Sequence, residues 1–207
     1  MSKKNHFSMI RGFHLADWFT LANAACGMAA VFAAMASVAP GSGISLLLAA
    51  AFIPAAFVFD VLDGRIARWR QQQSALGREL DSLADVISFG VAPAAIGYAA
   101  GMRGLWDCII LGYFVCCGVS RLARYNITAE ALSSNDSGKV KYFEGTPIPT
   151  SLVLVVVVAV AAWQNRIGDA LWFGAVDLGP WTLHPLVLLY AVSGSLMISK
   201  TLRIPKL

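Results

Sequence analysis

The chain is predicted to be an all-α integral membrane bundle of six transmembrane helices, on three observations: its apolar composition, the spacing of its apolar segments and the placing of its cations. Hydrophobic residues make up 57% of the 207 residues and charged residues only 14%, and the mean hydropathy is +0.65. Soluble domains carry about 25% charged residues, so this composition points to lipid as the solvent. A chain of this length has room for roughly six spans of about 20 residues with short loops, read as one domain over residues 1–207.

Residues 5–15, within an N-terminal segment 1–16, read as a short interfacial helix, with Phe7, Met9, Ile10 and Phe13 set among Lys, His and Arg. The first apolar segment, 18–39, stops at the breaker Pro40, Gly41, Ser42 and Gly43. The second covers 44–68 and the third 76–100, joined by a short turn near 71–75 that makes them antiparallel neighbours. The fourth covers 105–126, the fifth 148–163 and the sixth 184–204; 127–147 and 164–183 are the only substantial connections. With the N-terminus inside, only Arg103 and Arg166 of the 16 Lys and Arg residues fall on the far side. By the positive-inside rule both termini are expected in the cytoplasm, in a cell or inner membrane. The net charge of +4 then belongs to loops that meet anionic lipid, and no motif that reads nucleic acid accompanies it. Cys26, Cys108, Cys116 and Cys117 lie in apolar segments without C-x-x-C spacing, as packing residues do. No short apolar core with a small-residue cleavage site follows the basic start, so a removable signal peptide is not expected.

Four carboxylates depart from this apolar pattern. Asp60, Asp63, Asp81 and Asp85 lie at the cytoplasmic ends of spans two and three, where ionisable groups are costly and usually functional. Asp60 and Asp63 are at i, i+3, with Ala67 at i+7, so they share a helix face. Gly77, Asp81, Asp85 and Ser88 follow at i, i+4, i+8 and i+11, again on one face. Two antiparallel helices can therefore bring two pairs of carboxylates together. Their mutual repulsion must be cancelled by protonation, by Arg partners or by divalent ions, and hard oxygen ligands suit Mg²⁺ or Mn²⁺. Gly64 and Gly77 remove side chains nearby and allow a phosphorylated ligand close to the backbone. Arg68 can meet a phosphate. Together these features suggest metal-assisted phosphoryl transfer. An intramembrane acid cluster also fits a divalent-cation transporter, although a transporter usually holds its acids near the bilayer midplane.

From Asp60 the residues run D-V-L-D-G-R-I-A-R, then eight residues to Gly77, three to Asp81 and three to Asp85. This resembles the signature of the CDP-alcohol phosphatidyltransferase family, D-x-x-D-G-x-x-A-R-x8-G-x3-D-x3-D, at every fixed position. The resemblance implies a six-helix bundle, often a homodimer, whose active site opens to the cytoplasmic leaflet. It implies a two-metal centre on Asp60, Asp63, Asp81 and Asp85, with Asp85 as general base. It also implies a CDP site lined by Asp60, Gly64, Ala67, Arg68 and Gly77, together with Asn23 early in the first span. Gly97-x-x-x-Gly101 has the spacing of a helix-association motif.

Three further stretches, 20–27, 120–126 and 142–149, resemble serine-accepting members of the family, which implies CDP-diacylglycerol and L-serine as substrates. The carboxylate of serine needs a cation near the metals. Arg121 and Arg124, at i, i+3 on the cytoplasmic end of span four, can supply it, or can be ordinary snorkelling residues. Ser88 and Lys141 are further candidates for contact with serine or phosphate, Lys141 alternatively for lipid phosphate. An acceptor such as glycerol 3-phosphate or inositol phosphate is dianionic and would favour a denser basic cluster.

Overall fold

A computed structural model describes residues 13–39, 43–70, 74–133, 142–199, 201 and 203–205. The fold is all-α, with two small β-ribbons. Helix α1 covers Leu15–Ser37, α2 Gly43–Trp69, α3 Ala75–Asp85, α4 Ala92–Ala100, α5 Leu105–Ser133, α6 Leu152–Trp163 and α7 Leu188–Ile198. Strands β1 (Tyr142–Glu144) and β4 (Arg203–Pro205) pair antiparallel, as do β2 (Val176–Leu178) and β3 (Trp181–Leu183). Four helical stretches are long and apolar enough to cross a membrane: Leu15–Ser37, Leu46–Trp69, Leu76–Ala100 and Leu105–Ile127. Ile148–Trp163 and Pro185–Ile198 are shorter apolar helices. This is the architecture of a multi-pass membrane protein. The interfacial helix expected over 5–15 lies almost wholly outside the described residues.

The helix starts follow from local chemistry. The Asp17 carboxylate accepts the His14 N–H at 2.7 Å and closes a capping box at the head of α1. Ser74 caps α3, its hydroxyl oxygen accepting the Gly77 N–H at 2.9 Å, which sets the phase of the turns that carry Asp81 and Asp85. The third apolar segment, expected as one uniform helix, contains a π-helical stretch, Val86–Val91, between α3 and α4. The Ala92 N–H reaches back to the Ile87 carbonyl, a five-residue step. Pro93 follows directly; in α geometry its ring would clash with the carbonyl four residues back, and the wider π turn relieves that conflict.

The core runs through the middle of the bundle, where Ile53, Phe89, Ile96, Phe114 and Tyr190 are buried. Phe114 and Tyr190 meet edge to face, ring centroids 5.4 Å apart, and Tyr190 donates its hydroxyl to the Pro93 carbonyl. The outer faces keep large apolar side chains exposed, Phe32 at 61% and Met35 at 65% among them. Exposure on that scale along long apolar helices is a surface made for lipid. Gly97 and Gly101 face inward. A Cβ on Gly97 would lie 2.9 Å from the Tyr190 hydroxyl, and one on Gly101 2.9 Å from Gly168. Both glycines are thus used in packing within the chain, and their spacing lends no support to self-association.

Two expectations shift at the ends. The sixth apolar segment stops being helical at Ile198 rather than continuing to residue 204, because 203–205 leave the axis to pair with β1. Residues 164–183, unreadable in sequence, fold as turns and the β2–β3 ribbon. There, fully buried Asp107 accepts hydrogen bonds from the Gly104 and His184 N–H groups at 2.9 and 2.8 Å and pairs with the His184 ring at 2.6 Å. That carboxylate ties the start of α5 to the start of the last helical segment.

Candidate active site

The site forms where α2, α3 and α1 converge. One carboxylate oxygen from each of Asp60, Asp63 and Asp81 lies within 4.8 Å of the others. Asp85 adjoins Asp60 from the next turn of α3 and is itself buried. The two pairs read from the sequence do meet. Four carboxylates this close repel as water is excluded from among them, and either protonation or a cation held among them relieves the repulsion. Asp81 Oδ1 is buried without a hydrogen-bond partner among the described residues. Such an orphaned oxygen in an all-oxygen donor set fits a hard divalent ion.

Helix α1 supplies groups that the sequence did not single out. The Thr20 hydroxyl donates to Asp63 Oδ2 at 2.7 Å, the kind of outer contact that orients a ligating carboxylate. Asp17 is buried, and its Oδ1 would lie 2.9 Å from a Cβ on Gly77. Gly77 is therefore needed for the close approach of α3 to α1. A signal was present: Asp17, Thr20, Asn23 and Gly27 recur at helical spacing, and all are buried on one face of α1.

Asn23 is fully buried and donates to Asp85 Oδ1 at 3.4 Å. Ser88, also fully buried, donates to the Asn23 carbonyl at 2.9 Å, so it joins the π segment to α1. A Cβ on Gly27 would fall 2.8 Å from Ser88 Cα, a backbone-to-backbone approach that no side chain can share. Gly27→Ala is expected to force α1 from the π segment and loosen Asn23 against Asp85. Overpacking of this kind costs about 1–3 kcal/mol, read as a lower thermal midpoint in detergent with a parallel fall in turnover.

The remaining candidates spread around this centre. The Arg68 guanidinium folds over Gly64, its Nη1 3.5 Å from where a Cβ would sit; Arg68 is exposed and Ala67 half-buried. Beside Asp81 and Asp85 lies a cavity of about 160 Å³, lined also by Arg78, Arg121, Asn126 and residues 147–149. Arg121 Nε is buried there with no hydrogen-bond partner among the described residues, and its charge faces Asp85. Arg124 is half-buried on α5 and does not line the cavity. Lys141 lies outside the described residues. Asn126 bridges α5 to α3 through Ser82, at 3.0 Å. Neither Arg78 nor Asn126 had stood out as a lining residue, since each owes its place to the packing of α5 against α3.

The chain is 44% identical over 207 residues to the CDP-diacylglycerol–serine O-phosphatidyltransferase of Saccharomyces cerevisiae, a match covering 99% of this chain and 75% of the yeast protein. It is 40% identical over 132 residues to the enzyme of the same name from Helicobacter pylori, covering 61% of this chain and 52% of that protein. It is 32% identical over 167 residues to the archaetidylserine synthase of Methanothermobacter thermautotrophicus, covering 79% and 65%. The family profile described as CDP-alcohol phosphatidyltransferase matches residues 13–192, which takes in every helix that contributes to the acidic centre and the cavity beside it. The chain belongs to the CDP-alcohol phosphatidyltransferase family.

Proposed function

We propose that the protein transfers the phosphatidyl group of CDP-diacylglycerol to the hydroxyl of L-serine, giving phosphatidylserine and CMP. The observation that carries the serine reading is the cavity beside Asp85. It offers to a carboxylate, at one side, an Arg121 Nε that is buried without a hydrogen-bond partner among the described residues, and a carboxylate base at the other. The names of the yeast, bacterial and archaeal relatives all specify a serine acceptor or product. Family membership also favours an enzyme over a cation transporter.

In this reading the lipid nucleotide enters sideways from the inner leaflet with its tails still in lipid. Asp60, Asp63, Asp81 and Asp85 would hold the two divalent ions, Mg²⁺ or Mn²⁺, that the family resemblance implies, and these would supply charge neutralisation for the pyrophosphate and for the leaving CMP. Arg68, beside Gly64 and Ala67, meets a nucleotide phosphate, while Asn23 and Gly77 line the nucleotide side. Arg121 holds the carboxylate of serine, Arg124 adds positive charge on the same helix, and Lys141 is kept as a phosphate contact on the sequence resemblance alone. Asp85 takes the proton of the serine hydroxyl. That oxygen bonds to the phosphorus bearing diacylglycerol while the bond from phosphorus to the CMP oxygen breaks. The two shorter apolar helices complete six spans, with the active site and both termini on the cytoplasmic side of the inner membrane. A homodimer is carried by the family resemblance alone.

The test is a product assay. Purified protein is incubated with CDP-diacylglycerol, Mg²⁺ or Mn²⁺, and serine, glycerol 3-phosphate or inositol phosphate in turn. Phosphatidylserine is expected with serine alone. Phosphatidylglycerol phosphate without phosphatidylserine would overturn the acceptor assignment and leave the family intact.

A further inference from the structure

One wall of the acceptor cavity is a chain entry rather than a helix side: residues 147–149 form it, Pro147 capping the short 3-10 turn Ile148–Ser151 that leads into α6. A single such turn follows wherever the chain before it is held, and two anchors hold it here. Ile148, 1% exposed, fills a slot against α5, where a Cβ on Gly118 would lie 2.9 Å from its Cδ1. The second anchor lies just upstream and comes from the far end of the sequence. Thr146 donates its N–H to the Leu196 carbonyl at 3.2 Å, in the last turn of α7, where that oxygen also accepts the Ser199 N–H at 3.4 Å. Gly145 has φ +72°, and a Cβ there would fall 3.0 Å from the Met197 carbonyl carbon. Directly before it, β1 pairs with β4 in the register Tyr142 to Pro205, Phe143 to Ile204 and Glu144 to Arg203.

We propose that the β1–β4 ribbon, with Gly145, is a clasp that sets the acceptor cavity: strand 203–205 holds β1, β1 fixes Gly145 against the end of α7, and Gly145 delivers 147–149 to the cavity beside Asp85 and Arg121. The residues of the clasp are positioning residues and touch no reacting atom. Its reach is one-sided. The acidic centre is built on α1, α2 and α3, none of which the ribbon pairs with, so a loosened clasp enlarges the acceptor's side and leaves the nucleotide's side as it was. The inference rests on the proposed reading of the cavity as the acceptor site.

The experiment measures steady-state KM for serine and for CDP-diacylglycerol, with kcat and thermal midpoint, on the full chain in detergent. In an antiparallel pair successive N–H groups face alternately toward and away from the partner. The double variant Arg203→Pro/Ile204→Pro therefore removes a ladder donor whichever way the register faces. A misplacement of about 1 Å can cost up to about 10²-fold, and a rise of about tenfold or more in the serine KM is expected, with the CDP-diacylglycerol KM and midpoint close to those of the parent. Gly145→Ala is expected to do the same. Gly168→Ala is its control: Gly168 also has positive φ, +63°, but open space around it, so it carries the backbone penalty without the clasp and should leave the serine KM alone. If the proline variant fails to fold, the comparison of Gly145→Ala with Gly168→Ala decides. An unchanged serine KM, or equal rises for both substrates, overturns the clasp. Should the parent protein use glycerol 3-phosphate and not serine, the acceptor assignment fails, and a selective rise in the glycerol 3-phosphate KM still upholds the clasp.

Discussion

Asp85→Asn is expected to lower kcat by about 10²–10⁴-fold, the range a positioned general base contributes, while Mg²⁺ or Mn²⁺ still binds. The change keeps the shape of the side chain and its contact with Asn23, which already donates to Asp85 Oδ1. What it removes is the capacity to accept the hydroxyl proton. Asp60, Asp63 and Asp81 remain, with oxygens within 4.8 Å of one another, so a cation still has three carboxylates to hold it. The measurements are single-turnover formation of phosphatidylserine and a metal titration by calorimetry on the same sample. Near-parental turnover in the variant would show that Asp85 is not the base. Lost metal binding would instead make Asp85 chiefly a ligand.

Asp81→Asn is expected to act on the other half of the chemistry. Asp81 is the contribution of α3 to the three-carboxylate cluster, and its Oδ1 is buried without a hydrogen-bond partner among the described residues. Removing its charge leaves two of those three carboxylates, both on α2, with Asp85 the one acid that α3 still offers. Loss of an outer-shell partner alone typically costs 10–100-fold in metal affinity or activity, so loss of a ligand is expected to exceed about 10²-fold in both. Excess metal should recover part of the rate, because the defect is one of occupancy. Chelation by EDTA should abolish activity of the parent protein reversibly. Activity that survives exhaustive chelation would remove the divalent ion from the mechanism and leave the carboxylate cluster without its cation.

These two substitutions separate roles that the spacing of the aspartates left merged. Within a helix, spacing is geometry: Asp60 with Asp63, and Asp81 with Asp85, had to share faces because a residue three or four positions on lies one turn away. The acidic centre was legible for that reason. Thr20 and Asp17 were less so, although they repeat on the buried face of α1, because a Thr and an Asp near a helix start also serve as ordinary capping and surface residues. Ser88 keeps the face that its spacing from Asp85 gave it, since both meet Asn23; that its partner there is the Asn23 carbonyl was settled by the packing of α1. The five-residue step of the π segment is invisible to an argument that assumes 3.6 per turn.

The sequence by itself determined the class of solvent, the apolar helices and the two faces of paired carboxylates, since each depends only on composition or on contacts within a few residues. Tertiary structure alone decided which helices meet, which α1 groups reach the aspartates, and that 203–205 fold back on 142–144 beside the cavity. The reason is the membrane. A lipid-facing helix and a core-facing helix want the same apolar side chains, so the pattern that marks an inward face in a soluble protein is erased. Only small residues such as Gly27 and Gly97, and buried polar ones such as Asn23 and Asp107, betray where neighbours lie, and their partners become known only once the chain is packed.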